Sequence, residues 1–65
     1  MYNTIFIRPR LSLRAVEEEI NLYMNREKKY YVIYPYITHY MYDMQKRTYS
    51  AKVTYFAIAR HPHRK

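Results

Sequence analysis

The chain has 65 residues, of which ten are tyrosine, and twelve lysines and arginines against five acidic residues give it a net charge of +7. It contains no cysteine and no glycine, which excludes disulfides, thiolate zinc sites and the glycine-rich phosphate loops of Rossmann and Walker proteins. A chain this short buries only about 60% of its unfolded surface, and this marginal burial favours a homo-oligomer, with a dimer as the preferred form.

Residues 2–8 alternate in polarity and predict a first strand, with Ile5 and Ile7 on one face and aromatic or polar residues on the other. Pro9 cannot continue a strand ladder, so we expect the strand to end at Arg8. The opening residues lack a basic segment followed by a long apolar run, which argues against a signal peptide. We therefore expect a soluble cytoplasmic protein that does not associate with a membrane.

Residues 13–27 predict an amphipathic helix, and Ser12 is a suitable N-cap for it. The apolar positions follow the three- and four-residue spacing of one helix face: Leu13, Val16, Ile20, Tyr23 and Met24. Lys28 and Lys29 come at the C-terminal end, where cations interact favourably with the helix dipole.

Residues 30–42 predict a strand in which tyrosine fills nearly every second position. Side chains of a strand alternate between faces, and one parity holds Tyr30, Tyr34, Tyr36, Tyr40 and Tyr42. Pro35 removes a ladder donor in mid-strand, so this strand should lie at a sheet edge or carry a bulge. A bulge there could exchange the faces of all residues beyond it.

After a polar connection at residues 43–47, residues 48–59 predict a last strand whose odd positions are apolar and partly small. We place this odd face under Val16, Ile20 and Met24, with the strand at the centre of the sheet. The result is an α+β fold: one β-α-β-β domain over residues 1–60, in which one helix packs on a three-stranded, mostly antiparallel sheet. Residues 61–65 predict a basic, disordered tail.

One sheet face should remain uncovered, because a single helix covers only the other. We expect the helix to cover Ile5, Ile7, Ile33, Ile37, Met41, Ala51, Val53 and Ala57. By elimination, the uncovered face holds Tyr2, Phe6, Tyr34, Tyr36, Tyr40, Lys52, Thr54 and Phe56. Aromatic rings surrounded by cations can stack nucleic-acid bases while neutralising phosphates.

These residues lead to the hypothesis of a small, non-enzymatic, oligomeric protein that binds nucleic acid, or a complex that handles nucleic acid. The candidate nucleic-acid-binding residues are Arg8, Arg10, Tyr34, Tyr36, Tyr40, Lys52, Arg60, Arg64 and Lys65. Two alternatives stay open. The tyrosine face could be a dimer interface, or it could bind a host protein, as in a phage or mobile-element inhibitor or adaptor.

Other groups of residues give weaker indications of a function. Arg8, Arg10 and Arg14 surround the start of the helix and could hold a phosphate, although arginines also solvate such turns. His61 and His63 are flanked by basic residues that repel a cation, so we expect neither a metal nor any other cofactor. No nucleophile, base and orienting group lie at a recognisable spacing, which argues against an enzyme.

Two segments carry a resemblance to a known family: residues 16–24, VEEEINLYM, and residues 49–55, YSAKVTY. Their acidic helix start and aromatic-rich closing strand resemble the small sporulation-associated β-α-β-β proteins of Bacillus and related phage proteins. The resemblance implies the same architecture, without a defined activity or site residues. The tyrosine-rich strand and the charge of +7 depart from that family.

Overall fold

Four strands and one helix make up residues 1–60, the part of the chain that the computed structural model describes. In chain order they are β1 (Tyr2–Arg10), α1 (Leu13–Glu27), β2 (Tyr31–Ile33), β3 (Ile37–Asp43) and β4 (Thr48–Ala59). The helix packs on an antiparallel sheet, which confirms the predicted α+β class. The predicted tail, residues 61–65, lies outside the described residues.

Strand β4 is the centre of the sheet, as predicted from the edge position that Pro35 requires of its own strand. β1 pairs with one edge of β4, while β2 and then β3 pair with the other, all of them antiparallel. The sheet has four strands rather than the predicted three because the tyrosine-rich segment is divided into β2 and β3 around Pro35. A proline is tolerated at this place because the segment lies on the sheet edge.

Helix α1 begins and ends where its apolar spacing predicts. Ser12 has extended backbone angles, φ −135° and ψ 149°, and its Oγ accepts a hydrogen bond of 3.1 Å from the backbone N–H of Ala15. This bond satisfies one of the free amides at the helix start. At the other end, the N–H of Lys28 donates to the carbonyl of Met24 at 3.0 Å.

The core lies between α1 and the helix-facing side of β4 and β1. Its buried members are Ile7, Val16, Ile20, Met24, Ala51, Val53, Tyr55 and Ala57. The alanines leave room for the helix to approach the sheet, which confirms the predicted packing of the odd face of β4 under Val16, Ile20 and Met24. Tight packing of this kind contributes dispersion contacts as well as burial of apolar surface.

The edge strand contains one extra residue at Pro35. Ile33 lies opposite Ala57, whereas Ile37 lies opposite Thr54. The three residues 34–36 therefore lie opposite only two residues of β4, 55 and 56. One extra residue on one of two paired strands defines a bulge. Because side chains alternate with a period of two, one extra residue exchanges the faces of everything beyond it.

This exchange corrects the predicted placement of four side chains. Tyr40 lies opposite the buried Ala51 and therefore on the helix side, and Tyr36 lines a groove on that same side. Ile37 and Met41 point to the face without a helix, where both are largely exposed. The prediction that the helix covers Ile37 and Met41 while Tyr36 and Tyr40 lie opposite it is wrong.

A second bulge alters β1. Ile7 lies opposite Ala51 and Arg10 opposite Tyr49, so three steps in β1 match two in β4. The strand continues through Pro9 to Arg10, and its predicted end at Arg8 is wrong. The bulge accommodates the proline, because a residue left out of the ladder needs no N–H donor.

Candidate binding face of the sheet

The sheet side opposite α1 is called the open face here. Residues that pair across the strands share a face, and the pairing places fifteen side chains on this one. They are Tyr2, Thr4, Phe6, Val32, Tyr34, Ile37, His39, Met41, Asp43, Thr48, Ser50, Lys52, Thr54, Phe56 and Ile58. No part of residues 1–60 covers these side chains, and most of the large apolar ones are well exposed.

Three aromatic rings form a connected row across the open face. Phe56 is central, with ring centroids 4.9 Å from Tyr2 and 5.6 Å from Tyr34, and both contacts are edge-to-face. This arrangement holds the rings in place through favourable quadrupole contacts while leaving their outer surfaces free. Tyr2 is 77% exposed, and Phe6 on the same strand is 72% exposed.

Lys52 is the cation of the open face. On β4 it lies opposite Phe6 of β1 and opposite His39 of β3. The lysine therefore stands between the aromatic residues of one edge and the imidazole of the other, within reach of a ligand laid along the sheet. The open face combines stacking surfaces with positive charge, which is what a single-stranded nucleic acid requires.

The open face also contains aliphatic side chains that sequence reasoning missed. Ile37 and Met41 were expected under the helix, and Val32 and Ile58 were not assigned to a site. Ile37 is 72% exposed. Pro35 indicated in the sequence that a bulge was possible. Whether the bulge forms, and so which face Ile37 and Met41 occupy, depends on how the segment pairs with β4.

Two of the candidate arginines lie away from the open face. Arg10 forms an ion pair with Glu19 of α1, and the Nε of Arg8 lies 4.0 Å from the same carboxylate. Both are therefore held at the junction of β1 and the helix, where Glu19 offsets part of their charge. Arg8 is the more exposed of the two, with a side chain that is 77% exposed against 38% for Arg10.

Arg60 has a structural partner. Its Nε donates to the backbone carbonyl of Lys28 at 2.9 Å, and its N–H donates to the carbonyl of Tyr30 at 3.0 Å. A cation at this position satisfies a free carbonyl at the helix end. Arg60 thus joins the end of β4 to the end of α1. Arg64 and Lys65 lie outside the described residues.

Tyr36 and Tyr40 contribute to a different site, a groove between α1 and β3. The groove has a volume of about 360 Å³ and is lined by Glu17, Ile20, Asn21, Tyr36, Thr38 and Tyr40. Partial burial raises the pKa of Tyr40, and the nearby Glu17 carboxylate raises that pKa further. Of the candidate residues within residues 1–60, the open face brings together only Tyr34 and Lys52.

Residues 1–60 contain no group of three or more histidine, cysteine or acidic side chains that could hold a metal ion. Within the same residues, no helix has the length and apolar character needed to cross a membrane. Comparison of the chain with protein-family models, with curated proteins and with solved structures finds no match. The resemblance to the sporulation-associated proteins therefore stays a prediction.

Proposed function

We propose that this protein is a non-enzymatic binding protein whose open face binds single-stranded nucleic acid. The observation that supports this most directly is the exposed row of Tyr2, Phe56 and Tyr34, with Phe6 and Lys52 beside it. Every base offers a flat π surface, so rings fixed on a sheet can stack bases of any sequence. The chain's net charge of +7 attracts the phosphate backbone.

The proposal assigns the contacts to residues of the open face. Tyr2, Phe6 and Tyr34 take the stacking role, and Lys52 takes the phosphate contact on the open face. Arg8 lies away from the open face beside Glu19, so it contributes to binding only through the net charge of the chain. Tyr36, Tyr40, Arg10 and Arg60 have other neighbours, and their contribution to binding should be correspondingly small.

The test measures the anisotropy of a labelled single-stranded oligonucleotide, as DNA and as RNA, with increasing protein. Phe6→Ala should weaken binding by about 5- to 150-fold, the equivalent of about 1–3 kcal/mol for one lost stack. The matched control is Tyr42→Ala, which removes an exposed aromatic ring from the other side of the sheet, where Tyr42 lies opposite Tyr49. Equal losses in the two variants would contradict the proposal.

The salt dependence of the affinity tests the electrostatic contribution to nucleic-acid binding. If about three phosphates are neutralised, raising salt from about 50 to 300 mM should lower the affinity roughly 40-fold. Lys52→Gln should reduce this slope, whereas Arg14→Gln, which removes the same charge from the exposed helix surface, should leave the slope unchanged. Binding that is insensitive to salt, or no binding at all, would reject the proposal.

A second candidate function is favoured by the aliphatic residues of the open face. Ile37, Met41, Val32 and Ile58 add an apolar surface that nucleic acid does not need and that a protein partner can bury. In this case the protein is an inhibitor or adaptor that covers a larger protein. A stoichiometric partner that survives nuclease treatment, and that is lost with Ile37→Lys, would support this function.

A further inference from the structure

The free edge of β1 offers unpaired backbone groups. The N–H of Ala57 donates to the carbonyl of Met1 at 2.9 Å, so these two residues form a hydrogen-bonded pair of the β1–β4 ladder. Such pairs alternate along antiparallel strands. Asn3, Ile5 and Ile7 therefore bond to β4, while the N–H and C=O groups of Tyr2, Thr4 and Phe6 point to the other side, where no strand of residues 1–60 lies.

This edge lacks the features that usually prevent strand pairing. From Tyr2 to Ile7 it has no charged residue, no proline and no bulge, since Pro9 and its bulge come only at the end. The opposite edge is different, because the Pro35 bulge interrupts it between β2 and β3. Beyond that bulge, residues 37–42 of β3 are also continuous and uncharged, but this stretch lies between the bulge and Asp43.

Apolar side chains flank the β1 edge on both sides of the sheet. On the helix side, a groove of about 290 Å³ has Ile5, Ile7, Leu22 and Tyr23 among its lining residues. Leu22 is 65% exposed on the helix. On the open face, Tyr2 and Phe6 stand at either end of the same stretch. A strand added here would cover apolar surface on both faces as well as pair the backbone.

We infer that β1 pairs antiparallel with β1 of a second copy of this chain, about a twofold axis at Thr4. In this register, Thr4 lies opposite its symmetry mate, and Tyr2 lies opposite Phe6 of the other copy. The outward groups of these residues then form three pairs, each with two hydrogen bonds. The pattern is self-complementary, which is why the occupant is a second copy.

The positions of the arginines and of the aromatic residues in this register are both compatible with a dimer. Arg8 and Arg10 lie beyond the paired stretch, so the twofold axis does not place two arginines opposite each other. The Tyr2–Phe6 pairs are aromatic cross-strand neighbours, which stabilise antiparallel sheets. The two sheets become one, and their open faces lie side by side as one longer surface.

The first measurement is the mass of the chain in solution by sedimentation, without nucleic acid and up to about 100 μM protein. We expect a dimer of the 8.2 kDa chain. Phe6→Lys places charge at the edge and should give a monomer. The matched control is Ile37→Lys, on the same face with the same exposure of 72% but on β3, and it should remain dimeric.

Thr4→Pro tests the backbone pairing itself. It removes an N–H that points away from β4, so the β1–β4 ladder is preserved while the pairing between copies is lost. In the unaltered protein, the amide protons of Tyr2, Thr4 and Phe6 should exchange slowly. Rapid exchange of these amides, a monomeric mass, or dissociation by Ile37→Lys instead of Phe6→Lys would each overturn the inference. None of these readouts depends on nucleic-acid binding.

Discussion

The hydroxyl of Tyr55 is the most informative group to remove from the core. The residue is only 2% exposed, its ring centroid lies 6.5 Å from that of Tyr23, and its hydroxyl donates to Oε1 of Glu27 at 3.2 Å. Tyr55→Phe keeps the ring and removes the hydroxyl together with its hydrogen bond to Glu27. Near pH 7 we expect a loss of about 1–2 kcal/mol, since the acceptor is a carboxylate.

The same residue makes stability depend on pH. Burial raises the pKa of Tyr55 above its ordinary value, and hydrogen bonding with Tyr23 and the negative charge of Glu27 raise it further. The folded state therefore binds the phenolic proton more tightly than the unfolded state. The stabilisation that the protonated Tyr55 hydroxyl gives the folded state is fully present below about pH 10. Above that pH the free energy of unfolding decreases by up to about 1.4 kcal/mol per pH unit.

Thermal unfolding of both proteins, followed by circular dichroism from pH 7 to pH 11, checks this reasoning. At pH 7 the variant should melt roughly 4–16 °C lower, the shift that about 1–2 kcal/mol gives in a domain of this size. Above pH 10 the unaltered protein should lose stability faster, so the two curves should converge. Lysine titration is common to both and does not affect the difference.

Tyr30→Phe is the matched control, because this ring is exposed and the hydroxyl removed is not in the core. Its melting curve should follow that of the unaltered protein at every pH. If the difference between Tyr55→Phe and the unaltered protein stays constant from pH 9 to pH 11, the hydroxyl of Tyr55 does not have the raised pKa on which this reasoning depends.

Two local hydrogen-bonding arrangements give further predictions, both measured by urea unfolding. Ser12→Ala should lower the free energy of unfolding by about 1 kcal/mol through loss of the helix N-cap. Ser12→Asp should keep the N-cap and the stability, so equal stabilities of the two variants would contradict this prediction. Asp43→Ala should cost about 1 kcal/mol, because Oδ1 of Asp43 accepts from two backbone N–H groups of the β3–β4 turn at 3.0 and 3.2 Å. Asp43→Asn keeps an acceptor and should be close to neutral, so a large loss there would count against the bond.

The helix, its N-cap and strand β4 follow from the sequence alone. The spacing of Val16, Ile20 and Met24 reflects a helical period, and the alternation of residues 48–59 reflects a strand period, and both are local properties of the chain. The small residues Ala51 and Ala57 also indicated which side of β4 meets the helix. The central position of β4 followed from Pro35, which requires its own strand to be at an edge.

The tertiary structure alone decided which face the residues after Pro35 occupy. Whether the segment accommodates the proline with an extra residue depends on its pairing with β4, and that pairing exchanges Tyr36 and Tyr40 for Ile37 and Met41 on the open face. The ion pair of Arg10 with Glu19 likewise joins residues of two different elements. Local periodicity reports the face of a residue only relative to its neighbours in the same strand, whereas the pairing register relates one strand to another.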